Sequence, residues 1–126
     1  MTSTVKEMLA EANAVVPRLE PAALQRMLRE GNVLLIDVRD APELESGGKL
    51  KGAVHVSRGM LEFRADPQSP YYNPAFKKEM NVVLYCASGG RAALAGKVLR
   101  DFGFQSVYTA GAFKDLASAG LPVETA

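Results

Sequence analysis

Apolar residues recur along this chain in short runs and helical stripes that alternate. Thr4-Val5-Lys6-Glu7 can form a capping box, and Val5, Met8, Leu9 and Ala12 then make an apolar stripe, so a short leading helix is expected. Pro21 suits a first helical position, Leu24, Met27 and Leu28 carry the helix on, and Gly31 stops it. Asn32 to Val38 reads as a buried strand, and Ala53 to Val56 as a shorter one. Between them, Asp40 to Glu45 reads as a short helix capped by Asp40 and ended by Gly47-Gly48. Ser57 to Pro74 is loop-rich, with Pro67, Pro70 and Pro74 and one helical turn expected near Met60 to Phe63. Asn81 to Tyr85 is a second strong strand. Leu94, Ala95, Val98, Leu99 and Phe102 share one face of a helix running from Arg91 to Phe102, and Gly103 closes it. Ser106-Val107-Tyr108 reads as a strand and Ala112 to Ala119 as a final helix. Strands alternating with helices predict an α/β domain of three layers, with a mainly parallel sheet and helices on both faces.

The chemistry concentrates where the Asn81–Tyr85 strand turns into the next helix. The only cysteine opens the stretch Cys86-Ala87-Ser88-Gly89-Gly90-Arg91. Small side chains leave the main chain exposed there, and the glycines permit positive φ. The N–H groups of Ala87, Ser88, Gly89, Gly90 and Arg91 can then converge as an anion nest. Arg91 adds a permanent charge and a fork of donors. Such a setting favours the thiolate form and makes Cys86 a nucleophile. The alternative is a small, inert, buried thiol. In open α/β sheets ligand sites lie beyond the carboxyl ends of the strands, which is where Cys86 falls.

Four segments, in order, resemble the single-domain rhodaneses, a family of sulfurtransferases. Cys86 to Arg91 fits the family loop Cys-x-x-Gly-x-Arg. Leu34 to Arg39 resembles its early strand ending in Asp-Val-Arg, and Gly52-Ala53-Val54-His55-Val56 its Gly-Ala-x-His-Ile segment. Gly111-Ala112-Phe113 and Ala119-Gly120-Leu121-Pro122-Val123 resemble its closing glycine turn and tail. The likeness runs from about Leu19 to Val123. Phe113 and Leu116 stand where the family often has Trp, and Ala110-Gly111-Ala112 where Gly-Gly is common. The resemblance implies a rhodanese-like fold with a central sheet of about five strands. Residues 1–18 are then a leading helix and linker, and 19–126 the domain. The leading helix would pack on the domain or on a second subunit, making a homodimer one expectation.

The implied activity is transfer of a sulfane sulfur from thiosulfate or another persulfide donor. The carrier is a Cys86 persulfide, and the acceptor is cyanide, a small thiol or a protein thiol. Substrate contacts fall to the loop residues. Arg58, after the third strand, either swings toward Cys86 as an anion-binding residue or is solvated. Asp37 and Arg39 are expected to tie loops together. His55 is expected to be structural, with a direct Cys–His pairing as the alternative. Three rival readings stand beside transfer: a noncatalytic binding module, a persulfide or redox sensor needing a partner thiol, and a cysteine-dependent phosphatase. Phosphatase loops of this kind place five residues between Cys and Arg, against four here.

Composition narrows the setting. The chain has 126 residues, 48% hydrophobic and 23% charged, which suits one ordered domain. A net charge of +1 gives no footprint for nucleic acid or an anionic membrane. One cysteine and one histidine provide neither a disulfide framework nor a zinc cluster, so no metal or cofactor is expected. Met1 to Glu11 carries Lys6, Glu7 and Glu11 with no apolar signal core, which predicts a cytoplasmic protein.

Overall fold

The computed structural model describes residues 3–126. Val33–Asp37 (β1) and Asn81–Cys86 (β4) are the central strands of the main sheet. Their near-continuous apolar sequences, VLLID and NVVLYC, fit strands covered on both faces. Val54–His55 (β3) and Val107–Ala112 (β5) flank them in the order β3-β1-β4-β5, and every pairing is parallel. Alternation sorts the side chains. Leu34, Ile36, Val82, Leu84 and Cys86 join one core cluster, whereas Leu35, Val83 and Tyr85 join the other.

The first cluster takes Ala92, Ala95 and Leu99 from Gly90–Asp101 (α5), and Leu61 and Ala65 from Leu61–Ala65 (α4). The second takes Leu24 from Pro21–Glu30 (α2) and Leu116 from Phe113–Ser118 (α6). Helices therefore cover both faces. Val5–Val15 (α1) carries the Thr4–Glu7 capping box and buries Ala12. It lies against α5, where a Cβ on Gly96 would come within 2.9 Å of Val16 Cγ1.

The expected count of about five strands resolves into four plus a single parallel bridge. Arg18 pairs with Thr109 at the β5 edge, with Leu19 N–H donating to Thr109 O at 2.8 Å and Thr109 N–H to Pro17 O at 2.9 Å. A two-stranded antiparallel sheet, Lys49–Leu50 (β2) against Val123–Glu124 (β6), was not foreseen. Two residues per strand carry too little periodicity to be read locally. The short helix after β1 spans Ala41–Gly47 (α3). The helical turn in the long loop begins earlier than expected, as a 3-10 turn at Arg58–Met60 leading into α4. β5 runs to Ala112, which sequence had placed at the start of a helix.

Chain direction diverges between β1 and β4, since β1 leads to β3 on one side and β4 to β5 on the other. The crevice outside their carboxyl ends is the switch point where such sheets place ligands. Asp37-Val38-Arg39 and the Cys86 turn both emerge there.

Candidate active site

Cys86 is the last residue of β4, and Gly90 and Arg91 already belong to α5, so only Ala87, Ser88 and Gly89 turn the chain. Gly89 sits at φ +100° as the helix N-cap, a conformation open to glycine at little cost. This twist aims the Gly89 N–H back at Cys86 Sγ, 2.9 Å away. Among the described residues it is the one main-chain donor bonded to the sulfur. Cys86 itself is buried, while Ala87 and Ser88 are exposed above it. Opposite, Leu84 pairs with Thr109 but Cys86 pairs with Ala112, so β5 holds one extra residue, with Gly111 at φ +83°. The bulge brings Gly111 beside the turn: a Cβ on Gly89 would lie 3.7 Å from Gly111 Cα.

Arg91 points to α3. Its Nη1 and Nη2 donate to both carboxylate oxygens of Glu43 at 2.7 and 3.0 Å. The fork holds the Glu43 carboxyl down at about 2, and Glu43 in turn raises the Arg91 guanidinium. Glu43 also accepts from the Asp40 N–H at 2.8 Å, so one carboxylate ties α3 to α5, the helix that follows the Cys86 turn. The sequence reading missed Glu43. The signal, an acid at the third position of a capped helix, is local, but its partner lies 48 residues away.

Asp37 and Arg39 form a buried ion pair. Arg39 Nε and Nη2 reach the carboxylate at 3.1 and 2.8 Å, and Nη2 also donates to Gly48 O at 2.7 Å. Burial works to lower the Arg39 guanidinium, but the hydrogen bonds and charge of Asp37 outweigh it, and the net shift is upward. The guanidinium lies 4.2 Å from the centre of the Phe113 ring, which stacks on Tyr85 at 6.1 Å. Of Phe113 and Leu116, the two residues offered in the region where the resembling family often has Trp, Phe113 is the one that faces this cation. Tyr85 Oη accepts the Leu50 N–H at 2.9 Å, and burial first, then Asp37, hold the phenol well above its usual range. His55 Nε2 donates to Arg39 O at 2.6 Å, on the β1 side of the crevice.

Two depressions flank the turn. One, of about 400 Å³, is lined by Arg39, Glu43, Ser46, Ala87, Phe113 and Lys114. The other, of about 210 Å³, is lined by Leu9, Asn13, Arg18, Ser88–Gly90, Thr109 and Gly111. Arg58 does not join either. It pairs with Glu62 at 3.0 Å, one helical turn on, and lines a separate hollow with Met8, Glu11 and Leu94. The pairing that draws Arg58 away was readable as an i,i+4 spacing once 58–62 is helical. No group of three or more His, Cys, Asp or Glu among the described residues is arranged to hold a metal ion.

The family model of the rhodanese-like domain matches residues 20–118. The chain belongs to the rhodanese-like domain family. Among solved structures, this rhodanese-like chain is similar to a protein of unknown function from Rhodopseudomonas palustris CGA009, described as a possible tyrosine phosphatase. The two are 40% identical over 98% of this chain and 96% of that one, with a TM-score of 0.90. It is also similar to the polysulfide-sulfur transferase homodimer of Wolinella succinogenes, with 35% identity over 94% of this chain and 85% of that one, TM-score 0.73. Among curated proteins it matches tRNA uridine(34) hydroxylases of Legionella pneumophila, at 29% identity over 71% of this chain. It spans about a third of their length, 34%. No helix among the described residues is long and apolar enough to cross a membrane.

Proposed function

We propose that the protein is a sulfurtransferase that carries a sulfane sulfur as a Cys86 persulfide. The observation behind this reading is the Gly89 N–H held 2.9 Å from the sole thiol, beneath a turn of small residues whose Ala87 and Ser88 are exposed. The Cys86 thiolate attacks the outer sulfur of thiosulfate or another persulfide donor. A new S–S bond forms, and sulfite or the donor thiolate leaves with the electron pair. Cyanide or a thiol then attacks the terminal sulfur, and the Cys86 thiolate departs. No external oxidant or reductant is needed. The N–H groups of Ala87, Ser88, Gly89, Gly90 and Arg91 stabilise the terminal sulfur anion, as an oxyanion hole does for oxygen. Arg91, anchored by Glu43, fixes the turn to α5 and adds positive charge. Asp37, Arg39 and His55 hold the crevice in shape.

The likeness to the Wolinella sulfur transferase supports this class and makes a homodimer a reasonable state to test. The domain then comprises residues 19–126 with a leading helix and linker at 1–18, working in the cytoplasm on a small anionic donor and a thiol or cyanide acceptor. The likeness to the Rhodopseudomonas protein keeps a phosphatase in view, but a turn with four residues between Cys86 and Arg91 suits one sulfur better than a tetrahedral phosphate.

Mass measurement after thiosulfate treatment tests the reading. Cys86 should gain one sulfur, about 32 Da, and lose it to cyanide. A protein that gains no sulfur from any donor, yet hydrolyses an aryl phosphate, would be the phosphatase instead.

A further inference from the structure

Four cations stand around the turn, and two of them are already committed. Arg39 is paired with Asp37 and Arg91 with Glu43. Lys114 is exposed on a flexible stem on the Ala87 side. Arg18 is different. It lies ahead of the stretch that matches the family model, on the linker between α1 and α2. Its backbone is held by the bridge to Thr109, so its Cα cannot wander. Its guanidinium lies against Gly111: a Cβ there would stand 2.6 Å from Nη2 and 3.0 Å from Cζ. Gly111 immediately precedes Ala112, the partner of Cys86, and abuts Gly89, the donor to Sγ.

The Arg18 guanidinium has no ion pair or side-chain hydrogen bond among the described residues, although it is exposed to solvent. It shares its depression with Ser88, Gly89 and Gly90. That depression opens beside Leu9 and Asn13 of α1, on the α5 face of the sheet, the face toward which the Cys86 side chain points. A planar fork with free donors, on a backbone fixed at the rim of the Cys86 turn, suits an oxyanion.

We infer that Arg18 is a specificity-determining residue that holds the oxyanion end of the sulfur donor or acceptor against the Ser88–Gly90 side of the turn. The inference deepens the sulfur-transfer reading and rests on it for the identity of the anion. Two sources share this chemistry: the sulfonate oxygens of thiosulfate, and the carboxylate of a small thiol or its persulfide.

The sole cysteine allows a test that does not depend on sulfur chemistry. Iodoacetate and iodoacetamide both alkylate a thiolate, forming a C–S bond and releasing iodide, but only iodoacetate carries a carboxylate. Arg18→Gln should slow iodoacetate about fivefold relative to iodoacetamide, the scale of one exposed charge pair, and leave the iodoacetamide rate unchanged. Arg18→Lys should recover part of the ratio, and added salt should shrink the difference. Arg29→Gln on α2, which removes an equal charge elsewhere, should leave the ratio as it is. An unchanged ratio in Arg18→Gln, an equal slowing of both reagents, or the same drop in Arg29→Gln would each overturn the inference.

Sulfur loading then separates the sources. A rise in KM for thiosulfate at constant kcat marks the sulfonate. A rise only for a carboxylated thiol or its persulfide, with thiosulfate unaffected, marks the carboxylate. If the alkylation ratio falls but Cys86 accepts sulfur from no donor, Arg18 keeps its anion-guiding role and the sulfur-transfer reading fails.

Discussion

β1 and β4 lie side by side and end at the same edge of the sheet, but they finish in opposite electrostatic conditions. β1 ends in Asp37, whose carboxylate is completely buried and takes three side-chain contacts and one main-chain N–H from Arg39. No buried side-chain nitrogen or oxygen among the described residues lacks a partner. β4 ends in Cys86, whose sulfur meets one main-chain donor beneath an exposed turn. A buried charge must be fully paired, because leaving it alone costs several kcal/mol. A nucleophile does the reverse and keeps surrounding donors unspent until charge or a second sulfur arrives. Under the proposed function, the first ending is scaffold and the second carries the chemistry.

Four substitutions sharpen this contrast. Cys86→Ala has the largest functional effect: sulfur loading should vanish, while urea denaturation should show a stability change of only about 1 kcal/mol. Asp37→Ala should do the opposite damage. It strands the Arg39 guanidinium in the interior and should cost about 3–5 kcal/mol, read as a lower urea midpoint. Loss of that size on the β4 side, or none on the β1 side, would erase the distinction drawn between the two strand ends. Tyr85→Phe removes the acceptor of the buried Leu50 N–H and should cost about 1–2 kcal/mol, with sulfur loading retained because the ring faces away from Cys86.

The smallest stability effect belongs to Glu43→Gln, at most about 1 kcal/mol, since the Arg91–Glu43 pair is about one-third exposed. Its pH dependence is specific. The Glu43 carboxyl falls from 4.5 to about 2 on folding. The stability it contributes is therefore present above pH 4.5 and is lost as pH drops through the folded value near 2. The variant should lose less stability than the natural chain across that interval. Identical acid profiles would mean the pair does not fasten α3 to α5.

Much of this was legible in the residues themselves. The short apolar runs and the period-3.6 stripes predicted the order of strands and helices, and Thr4, Pro21, Asp40 and Gly31 marked helix ends close to where they fall. These signals depend on neighbours a few residues apart, so they survive without any knowledge of packing. The Cys86 turn was readable for the same reason, since small residues and glycine between a strand and a helix dictate its conformation locally.

Only the tertiary structure decided which charges meet across the chain. It brought Glu43 to Arg91, Arg18 to Gly111, Gly48 to Arg39, and the tail at Val123–Glu124 to Lys49–Leu50. It also gave Arg58 to Glu62 rather than to the Cys86 turn. Backbone periodicity follows from local sterics and from which face of an element is apolar. A long charged side chain has many reachable partners, and its choice among them is made when the sheet and helices bring distant segments together.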